Sequence, residues 1–385
     1  MNESLHRALL PEGLRDLLPP DAGIEAEVVA RLMAVLAGHG YERVKPPLAE
    51  FEENLLSGAG AAMAPDTFRL MDPVSGRMIG LRADMTPQVA RIAATRLKKS
   101  ARPLRLCYAG QVLRVRGSQL RPERQVGQVG AELIGTDSVS ADVEAIAVAA
   151  EALASLGIIG LTVDLTLPTL VPAVCNTFKL DADAVLRVRR ALDHKDAAAL
   201  KAASGKAGSL LGDLLKAAGE GAKAQKALAA LDLPKDAAAE RARLGEVVAR
   251  LKSAVPGLGF TIDPVENRGF EYDSGISFSF FAPAVRGELG RGGRYRTDSG
   301  PEKNGAEDAT GFTLYTDTVL QAVPGASPAK RVYVPEGVDP AIARRLREQG
   351  WITVAALGPA KDARQEAKRL NCGHLLENGK PIALS

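Results

Sequence analysis

The architecture of this 385-residue chain is predicted most directly by residues 104–135, LRLCYAGQVLRVRGSQLRPERQVGQVGAELIG. Strand-forming residues fill 104–115 and 124–135, and a basic segment rich in turn formers separates them, which predicts an antiparallel pair of strands with a basic loop. Side chains alternate between the two faces of a strand, so Gln128 and Glu132 share one face, with Gly130 between them. This face therefore offers an amide and a carboxylate beside a gap.

Helices and further strands are predicted on both sides of this pair. Apolar residues recur at helical spacing over 22–37, where Asp21 can cap the helix, and Thr86 and Pro87 are typical first residues of a second helix. Strand-like runs return after residue 258. Because antiparallel strands and helices are interleaved without strict alternation, we predict an α+β fold, an antiparallel sheet flanked by helices.

Two further segments define the expected domains. Residues 180–255 are dominated by Ala, Leu, Lys and Arg, which predicts a helical insertion with its own small core inside a main domain of residues 1–325. After a linker-like PGASPA, short β, α, β, α, β signals predict a small C-terminal α/β domain over residues 326–385.

Composition excludes several classes of protein. A net charge of +3 gives no overall field for binding nucleic acid, so any polyanion site would have to be local, and nucleic acid is not among the expected partners. The three cysteines are far apart and form no CxxC, which argues against a disulfide framework or a structural zinc site and favours the cytoplasm. The sequence has no apolar run long enough to predict a membrane span. Because no catalytic-triad or metal-ligand spacing stands out, we expect no catalytic residues, metal or cofactor.

The candidate ligand-binding residues each have a structural alternative. Arginines cluster at 114–124 and at 286–296, where they can recognise phosphate or carboxylate or can simply be solvated. Gln128 and Glu132 suit an ammonium group, or they lie on an exposed sheet face. Asp84 and Thr86 either contact a ligand or start a helix. Arg268 precedes a strand, where an arginine often forms a structural ion pair.

In their order along the chain, the motifs closely resemble the class II aminoacyl-tRNA synthetase core, and histidyl-tRNA synthetases in particular. PEGLRDLLPP resembles the N-terminus of that family, and YERVKPPLAEFEENL resembles motif 1 with its dimer-forming strand. LRADMTPQVAR is similar to the LRPEGT loop, and residues 108–135 match motif 2 without a gap. NRGFEYDSG and GRGGRYRTD resemble the two histidine-specific motifs, RGLDYY and GGRYD.

The resemblance implies which residues contact histidine. It implies a histidine-binding role for eight residues, namely Asp84, Thr86, Arg114, Gln128, Glu132, Arg268, Tyr272 and Tyr295.

Three departures from the synthetase pattern argue against catalysis. Thr318 stands where the arginine of motif 3 holds the ATP phosphates, Arg116 replaces a glutamate that contacts adenine, and Asp273 replaces the second tyrosine of RGLDYY. Phosphoryl chemistry depends on preorganised cations, so we do not expect adenylation. The short C-terminal domain also argues against tRNA recognition. The segment around Thr318, residues 308–325, is expected to form a buried helix.

A synthetase-like core with this combination of features resembles the regulatory subunits of ATP phosphoribosyltransferase. The resemblance implies a non-catalytic chain that forms a homodimer through its synthetase-like core and partners the short-form catalytic subunit. It also implies L-histidine as the feedback effector in the first step of histidine biosynthesis. Histidine can inhibit only if it binds the low-activity state more tightly. The alternatives are an active histidyl-tRNA synthetase and a free-standing synthetase-like paralogue.

Overall fold

The computed structural model describes residues 9–117, 122–266, 273–297, 306–325 and 330–384. The chain divides into two compact units, Met1–Pro324 and Gly325–Ser385. Within the described residues, no helix is both long enough and apolar enough to cross a membrane.

The large unit is built on a nine-stranded sheet with a separate small sheet beside it. Its strands in chain order are β1 Glu42–Arg43, β2 Ala49–Phe51, β3 Arg69–Met71, β4 Met78–Leu81, β5 Leu104–Leu113, β6 Gln125–Ile134, β7 Thr162–Thr166, β8 Gly219–Glu220, β9 Gly259–Asp263, β10 Asp273–Phe281, β11 Gly290–Thr297 and β12 Glu307–Tyr315. The large sheet has the order β1-β5-β6-β12-β11-β10-β7-β9-β8, and the small sheet has the order β2-β4-β3.

The large sheet is mixed, whereas the sequence predicted an antiparallel one. The pairs β1–β5 and β7–β9 are parallel, and the strands between β5 and β7 run antiparallel to their neighbours. The fold class is nevertheless the predicted one, because this mixed sheet is flanked by helices.

Helices cover both faces of the large sheet. In chain order they are α1 Asp21–Gly38, α2 Glu52–Leu55, α3 Thr86–Thr95, α4 Val139–Ser155, α5 Leu170–Thr177, α6 Ala182–Asp193, α7 Ala197–Ser204, α8 Gly208–Lys216, α9 Gly221–Ala229, α10 Lys235–Ala254 and α11 Thr316–Ala322, with 3-10 turns at Gly58–Asp66 and Gly205–Ala207. One face packs on α1 and α4, and the opposite face packs on α3.

The helical insertion shares the main core. A single apolar cluster joins Leu32 of α1 and Ile146 of α4 to Leu211 and Leu244 of the insertion. The prediction of a separate small core is therefore wrong. Two contacts explain the difference, since α10 packs against α4 and β8 extends the edge of the sheet by pairing with β9.

Two predicted helix starts differ in detail. Asp21 lies in the first turn of α1, after Pro20, and its side chain makes no cap. Thr86 is the first residue of α3, but its hydroxyl donates to Glu132 instead of capping the helix. The Thr86 amide is bound by Asp84, whose Oδ1 accepts from it at 2.8 Å.

The expected buried helix at 308–325 is wrong over its first half. Residues up to Tyr315 form β12, which pairs with β6 on one side and β11 on the other, and only Thr316–Ala322 form a helix. From Ala309 to Tyr315 this central strand is buried on both faces, so its pattern does not alternate between apolar and exposed positions, and hydrophobicity alone does not distinguish it from a buried helix.

The small unit is an α/β layer of its own. It contains β13 Arg331–Val334, α12 Pro340–Glu348, β14 Ile352–Ala355, α13 Ala363–Arg369, β15 His374–Glu377 and β16 Lys380–Ala383. The order β14-β13-β15-β16 has three parallel strands and one antiparallel hairpin. The last strand was not predicted, although Asn378 and Gly379, both with positive φ, are the residues that a tight hairpin turn prefers.

Candidate functional site

Glycines on three neighbouring strands make room for the site. Pairing places Glu132 of β6 beside Gly311 of β12, and Gly311 beside Gly293 of β11. A Cβ at Gly311 would overlap the Glu132 carboxylate, and a Cβ at Gly130 would overlap the ring of Tyr108. The two polar side chains can therefore lie flat across the sheet only because these positions are glycine.

Glu132 is the centre of a buried group of hydroxyls. Its Oε1 accepts from Thr86 Oγ1 at 3.0 Å and from the Tyr108 hydroxyl at 3.1 Å, and its Oε2 accepts from the Tyr295 hydroxyl at 2.9 Å. Tyr108 also lies 2.8 Å from the Thr313 hydroxyl. Glu132 thus contacts side chains from β5, β11 and the start of α3.

Burial determines the charge of Glu132. Removal from water raises the pKa of this carboxyl to about 8, and the hydroxyl donors of Tyr295, Thr86 and Tyr108 oppose that rise only in part. The charge of Asp84 raises the pKa further. Without a cation beside it the carboxyl therefore keeps its proton at neutral pH, and a cation placed there would favour release of that proton.

Gln128 holds the loop that carries Asp84. Its Nε2 donates to Asp84 Oδ2 at 2.8 Å, and its Oε1 accepts from the Met85 amide at 3.1 Å. The side chain is buried, so these two bonds satisfy an amide that would otherwise be costly to bury. Gln128 therefore acts indirectly, because it fixes the position of the Asp84 carboxylate.

The structure brings together four of the eight predicted residues around one small cleft. The cleft is lined by Asp84, Thr86, Glu132, Asp273, Arg291, Gly292, Gly293, Tyr295, Gly311, Phe312, Thr313 and Tyr315. It holds about 40 Å³, which is room for only a few water molecules. Because the lining side chains bond one another across it, a larger ligand would have to separate them.

The other predicted residues lie elsewhere. Gln128 stands behind Asp84, as described above. Arg114 does not line the cleft, and its Nε donates to the Ala83 carbonyl at 3.3 Å. Arg268 and Tyr272 lie outside the described residues.

The arginines at 286–296 do not form one anion site. Arg291 lines the cleft and pairs with Glu288 at 2.8 Å, whereas Arg294, the third residue on, is buried on the opposite face and pairs with Asp142 at 2.8 Å. Arg296 is largely exposed, with Asp308 4.0 Å away. Alternation along β11, together with local pairing, separates side chains that are close in sequence.

The arginines at 114–124 mainly bind backbone carbonyls. Arg124 donates to the carbonyls of Arg114 at 3.2 Å and of Glu12 at 3.1 Å, Arg116 is exposed, and Arg121 lies outside the described residues. The contacts of Arg114 and Arg124 are structural, and the described part of this segment brings no arginines together into an anion site.

Sequence reasoning missed Tyr108 and Thr313, both of which belong to the hydroxyl group around Glu132. Tyr108 is opposite Gly130 in the β5–β6 pair, and Thr313 is opposite Gly130 in the β6–β12 pair. The available signal was the glycine itself, since a small residue between two polar ones invites a large side chain from the next strand. Strand register was needed to identify which side chains fill the gap.

The described lining of the cleft carries three carboxyl groups and one guanidinium group, that of Arg291. Asp84, Glu132 and Asp273 contribute carboxyl groups. Thr318 is buried in α11, which packs against α1 and β6. Among the described residues, no cluster of three or more His, Cys, Asp or Glu side chains could hold a metal ion. This lining is suited to binding an ammonium group or another small cation.

Comparison with known proteins identifies the family of this chain. The histidyl-tRNA synthetase family model matches residues 13–319. The ATP phosphoribosyltransferase regulatory subunit of Rhodospirillum centenum is 60% identical over 97% of this chain and 95% of its own length. The subunit of that name from Paramagnetospirillum magneticum is 57% identical over 98% of both chains.

A solved structure shares the fold. The ATP phosphoribosyltransferase regulatory subunit/histidyl-tRNA synthetase from Bacillus halodurans C superposes with a TM-score of 0.79 at 24% identity and covers 94% of this chain and 96% of that chain. Since the fold is that of class II synthetases and the curated relatives match along nearly their whole length, the chain belongs to the histidyl-tRNA synthetase-like family of ATP phosphoribosyltransferase regulatory subunits.

Proposed function

We propose that this chain is a non-catalytic regulatory subunit acting in the cytoplasm, in the first step of histidine biosynthesis. It activates the short-form catalytic subunit of ATP phosphoribosyltransferase and mediates feedback inhibition by L-histidine, which binds in the cleft around Glu132. One observation carries the proposal: carboxyl and hydroxyl groups line the cleft, while the motif resemblance aligns Thr318 with the phosphate-binding arginine.

The chemistry of the cleft supports an amino-acid ligand. An ammonium group beside Glu132 would supply the missing counter-charge to its carboxylate, and Asp84 and Asp273 add negative charge. The hydroxyls of Thr86, Tyr108 and Tyr295 provide hydrogen-bonding partners.

The hydrogen bonds across the cleft support a regulatory role. Thr86, Tyr108 and Tyr295 donate to Glu132, so a ligand that binds this carboxyl has to replace these bonds. A ligand that favours the rearranged lining shifts the protein towards it by the difference in its affinities for the two states.

Loss of the motif 3 cation supports the non-catalytic assignment. Removing one group that stabilises a developing charge typically lowers turnover by about 100-fold to 1000-fold. Thr318 carries no charge and is buried in α11.

The test is reconstitution with the short-form catalytic subunit from the same organism. We expect formation of phosphoribosyl-ATP to rise when this chain is added, and added histidine to lower it again. Glu132→Gln should keep the activation and lose most of the inhibition, whereas Glu27→Gln, on the exposed side of α1, should leave both unchanged. Absence of activation at saturating concentrations of this chain would contradict the proposal.

The match to the synthetase family model favours one alternative, an active histidyl-tRNA synthetase. Histidine-dependent exchange between ATP and pyrophosphate tests it directly. Exchange that depends on this chain, at a rate that grows with its concentration, would replace the proposed function with the alternative. Exchange at background level would remove the alternative.

We also propose that the chain forms a homodimer through its synthetase-like core. Sedimentation equilibrium of the purified chain gives its mass in solution, and the mass of a monomer across the accessible concentrations would contradict this proposal.

A further inference from the structure

The strand β11 carries site residues on one face and a buried cation on the other. Gly293 and Tyr295 line the cleft, and Arg294 between them points to the opposite face, where α4 covers the sheet. The backbone of β11 therefore cannot shift at Tyr295 without also moving Arg294.

Arg294 is held by a carboxylate at the start of α4. Its Nη2 and Nε donate to Asp142 Oδ1 at 2.8 and 3.2 Å, and Nη2 also donates to the Ser138 carbonyl at 3.0 Å. Thr310 of β12 is opposite Arg294 of β11, and its hydroxyl donates to the same Oδ1 at 3.0 Å. One oxygen of Asp142 thus anchors both strands of the site from behind.

The second oxygen of Asp142 binds the helical insertion. Arg243 of α10 donates through Nε to Asp142 Oδ2 at 3.0 Å and approaches it with Nη2 at 2.9 Å. Arg243 also donates to the Asp137 carbonyl. The Asp142 side chain is only 2% exposed and that of Arg294 only 5%, so water cannot readily replace either partner.

Such a buried group has few alternative arrangements. Asp142 and Arg294 are buried, whereas the Arg243 side chain is 24% exposed. Separating the buried carboxylate from a guanidinium partner is costly, because the remaining charges are then left without compensation. The three side chains are therefore expected to move together, and displacement of β11 is transmitted to α10.

We propose that Asp142 is a positioning residue that couples the cleft to α10 of the insertion through Arg294 and Arg243. Occupancy of the cleft separates Tyr295 from Glu132, shifts β11, and alters the packing of α10 through the shared carboxylate. The inference rests on the proposed function for the identity of the ligand, L-histidine, and extends it to the route by which binding reaches the surface of the insertion.

The test measures the response of α10 to histidine in the isolated chain. Amide hydrogen exchange of residues 235–254 is followed with and without saturating histidine, and histidine affinity is measured by calorimetry. In the unmodified chain we expect histidine to change the exchange rates in α10 by about fivefold or more, in line with typical coupling between sites. In Arg243→Gln that change should disappear, while affinity for histidine shifts only by the lost coupling.

Arg250→Gln is the matched control. Arg250 lies on the same helix and also reaches the start of α4, where it donates to Ser140 Oγ at 2.9 Å, but it does not contact Asp142. It should keep the full response, and Arg243→Lys should restore part of it because the charge beside Asp142 is retained. If Arg243→Gln does not fold, Arg243→Lys is measured in its place and should show a reduced response.

The outcomes separate the two proposals. A full α10 response in Arg243→Gln, or an equal loss in Arg250→Gln, would overturn the coupling role of Asp142 and leave the proposed function standing. Failure of the unmodified chain to bind histidine at all would overturn the proposed function, and the inference with it.

Discussion

Glu132 is fully buried. The hydrogen bonds described for its carboxyl come from the hydroxyls of Thr86, Tyr108 and Tyr295, which carry no positive charge. A carboxyl in this setting is stable either with a proton or with a ligand cation. At neutral pH and without a ligand cation, the protonated state is favoured, because burial raises the pKa of Glu132 to about 8. Affinity and stability should therefore both depend on pH through this one residue.

Stability of the empty protein should fall as pH rises towards 8. The pKa of Glu132 is about 8 in the folded chain against an ordinary 4.5, so between these values the folded chain holds a proton that the unfolded chain has lost. The free energy of unfolding then decreases by up to about 1.4 kcal/mol per pH unit. Urea unfolding at several pH values should show a shallower decline in Glu132→Gln, and the same slope in both chains would count against the assignment.

Histidine affinity should change in the opposite direction. An ammonium bound beside Glu132 lowers the pKa of its carboxyl, so binding releases a proton, and affinity should rise up to about tenfold between about pH 7 and about pH 8. Calorimetry in two buffers with different ionisation enthalpies measures the released proton. Glu132→Gln should bind histidine more weakly, and residue 132 should then release no proton on binding. If the variant releases as many protons as the unmodified chain, the group whose pKa changes on binding is not Glu132.

At the scale of elements, the sequence pattern predicted the features that depend on neighbouring residues in the chain, and it failed for the features that depend on which strands pair. The strands predicted at 104–115 and 124–135 are Leu104–Leu113 and Gln125–Ile134, and the shared face of Gln128 and Glu132 follows from simple alternation. The hydroxyls around Glu132 come from other strands, so their identity depends on register, which alternation does not fix. The segment at 308–325 was assigned to a helix because a strand buried on both faces has no polar period.

The glycines of the site strands should be far less tolerant than those of the helices. A Cβ at Gly311 would overlap the Glu132 carboxylate and lie 2.8 Å from the Ala131 carbonyl, whereas one at Gly245 in α10 would meet nothing within 4 Å. Gly311→Ala should lower the free energy of unfolding by about 1–3 kcal/mol. Gly245→Ala should raise it by about 0.5–1 kcal/mol.

Chemical denaturation of both variants, with histidine binding measured alongside, tests this contrast. Gly311→Ala should also weaken histidine binding, since it displaces Glu132. Equal stability of the two variants would show that the strands relax around the new methyl group.

At the scale of the whole molecule, the chain has two units, and residues of the first unit line the cleft. All described residues of the cleft lie in the unit Met1–Pro324, and the small unit has apolar clusters of its own. Units with independent cores commonly fold alone.

A chain ending at Pro324 should therefore bind histidine with nearly the affinity of the full chain. Calorimetry on the truncated and full chains makes the comparison, and circular dichroism verifies that the truncated chain is folded. A folded truncated chain that no longer binds histidine would show that the small unit contributes to the site.

The two outermost strands of the large sheet, β1 and β8, are each two residues long. The neighbouring strand β5 is further occupied along its outer edge, because the Leu113 amide donates to the Arg82 carbonyl and Arg82 Nε donates to the Gln111 carbonyl. Short, occupied edges offer little template for an added strand, which protects the protein against edge-to-edge aggregation. Within the described residues, these edges offer an incoming strand only short stretches of backbone, so we expect a partner at this sheet to dock by side chains of helices and loops and not by β-augmentation.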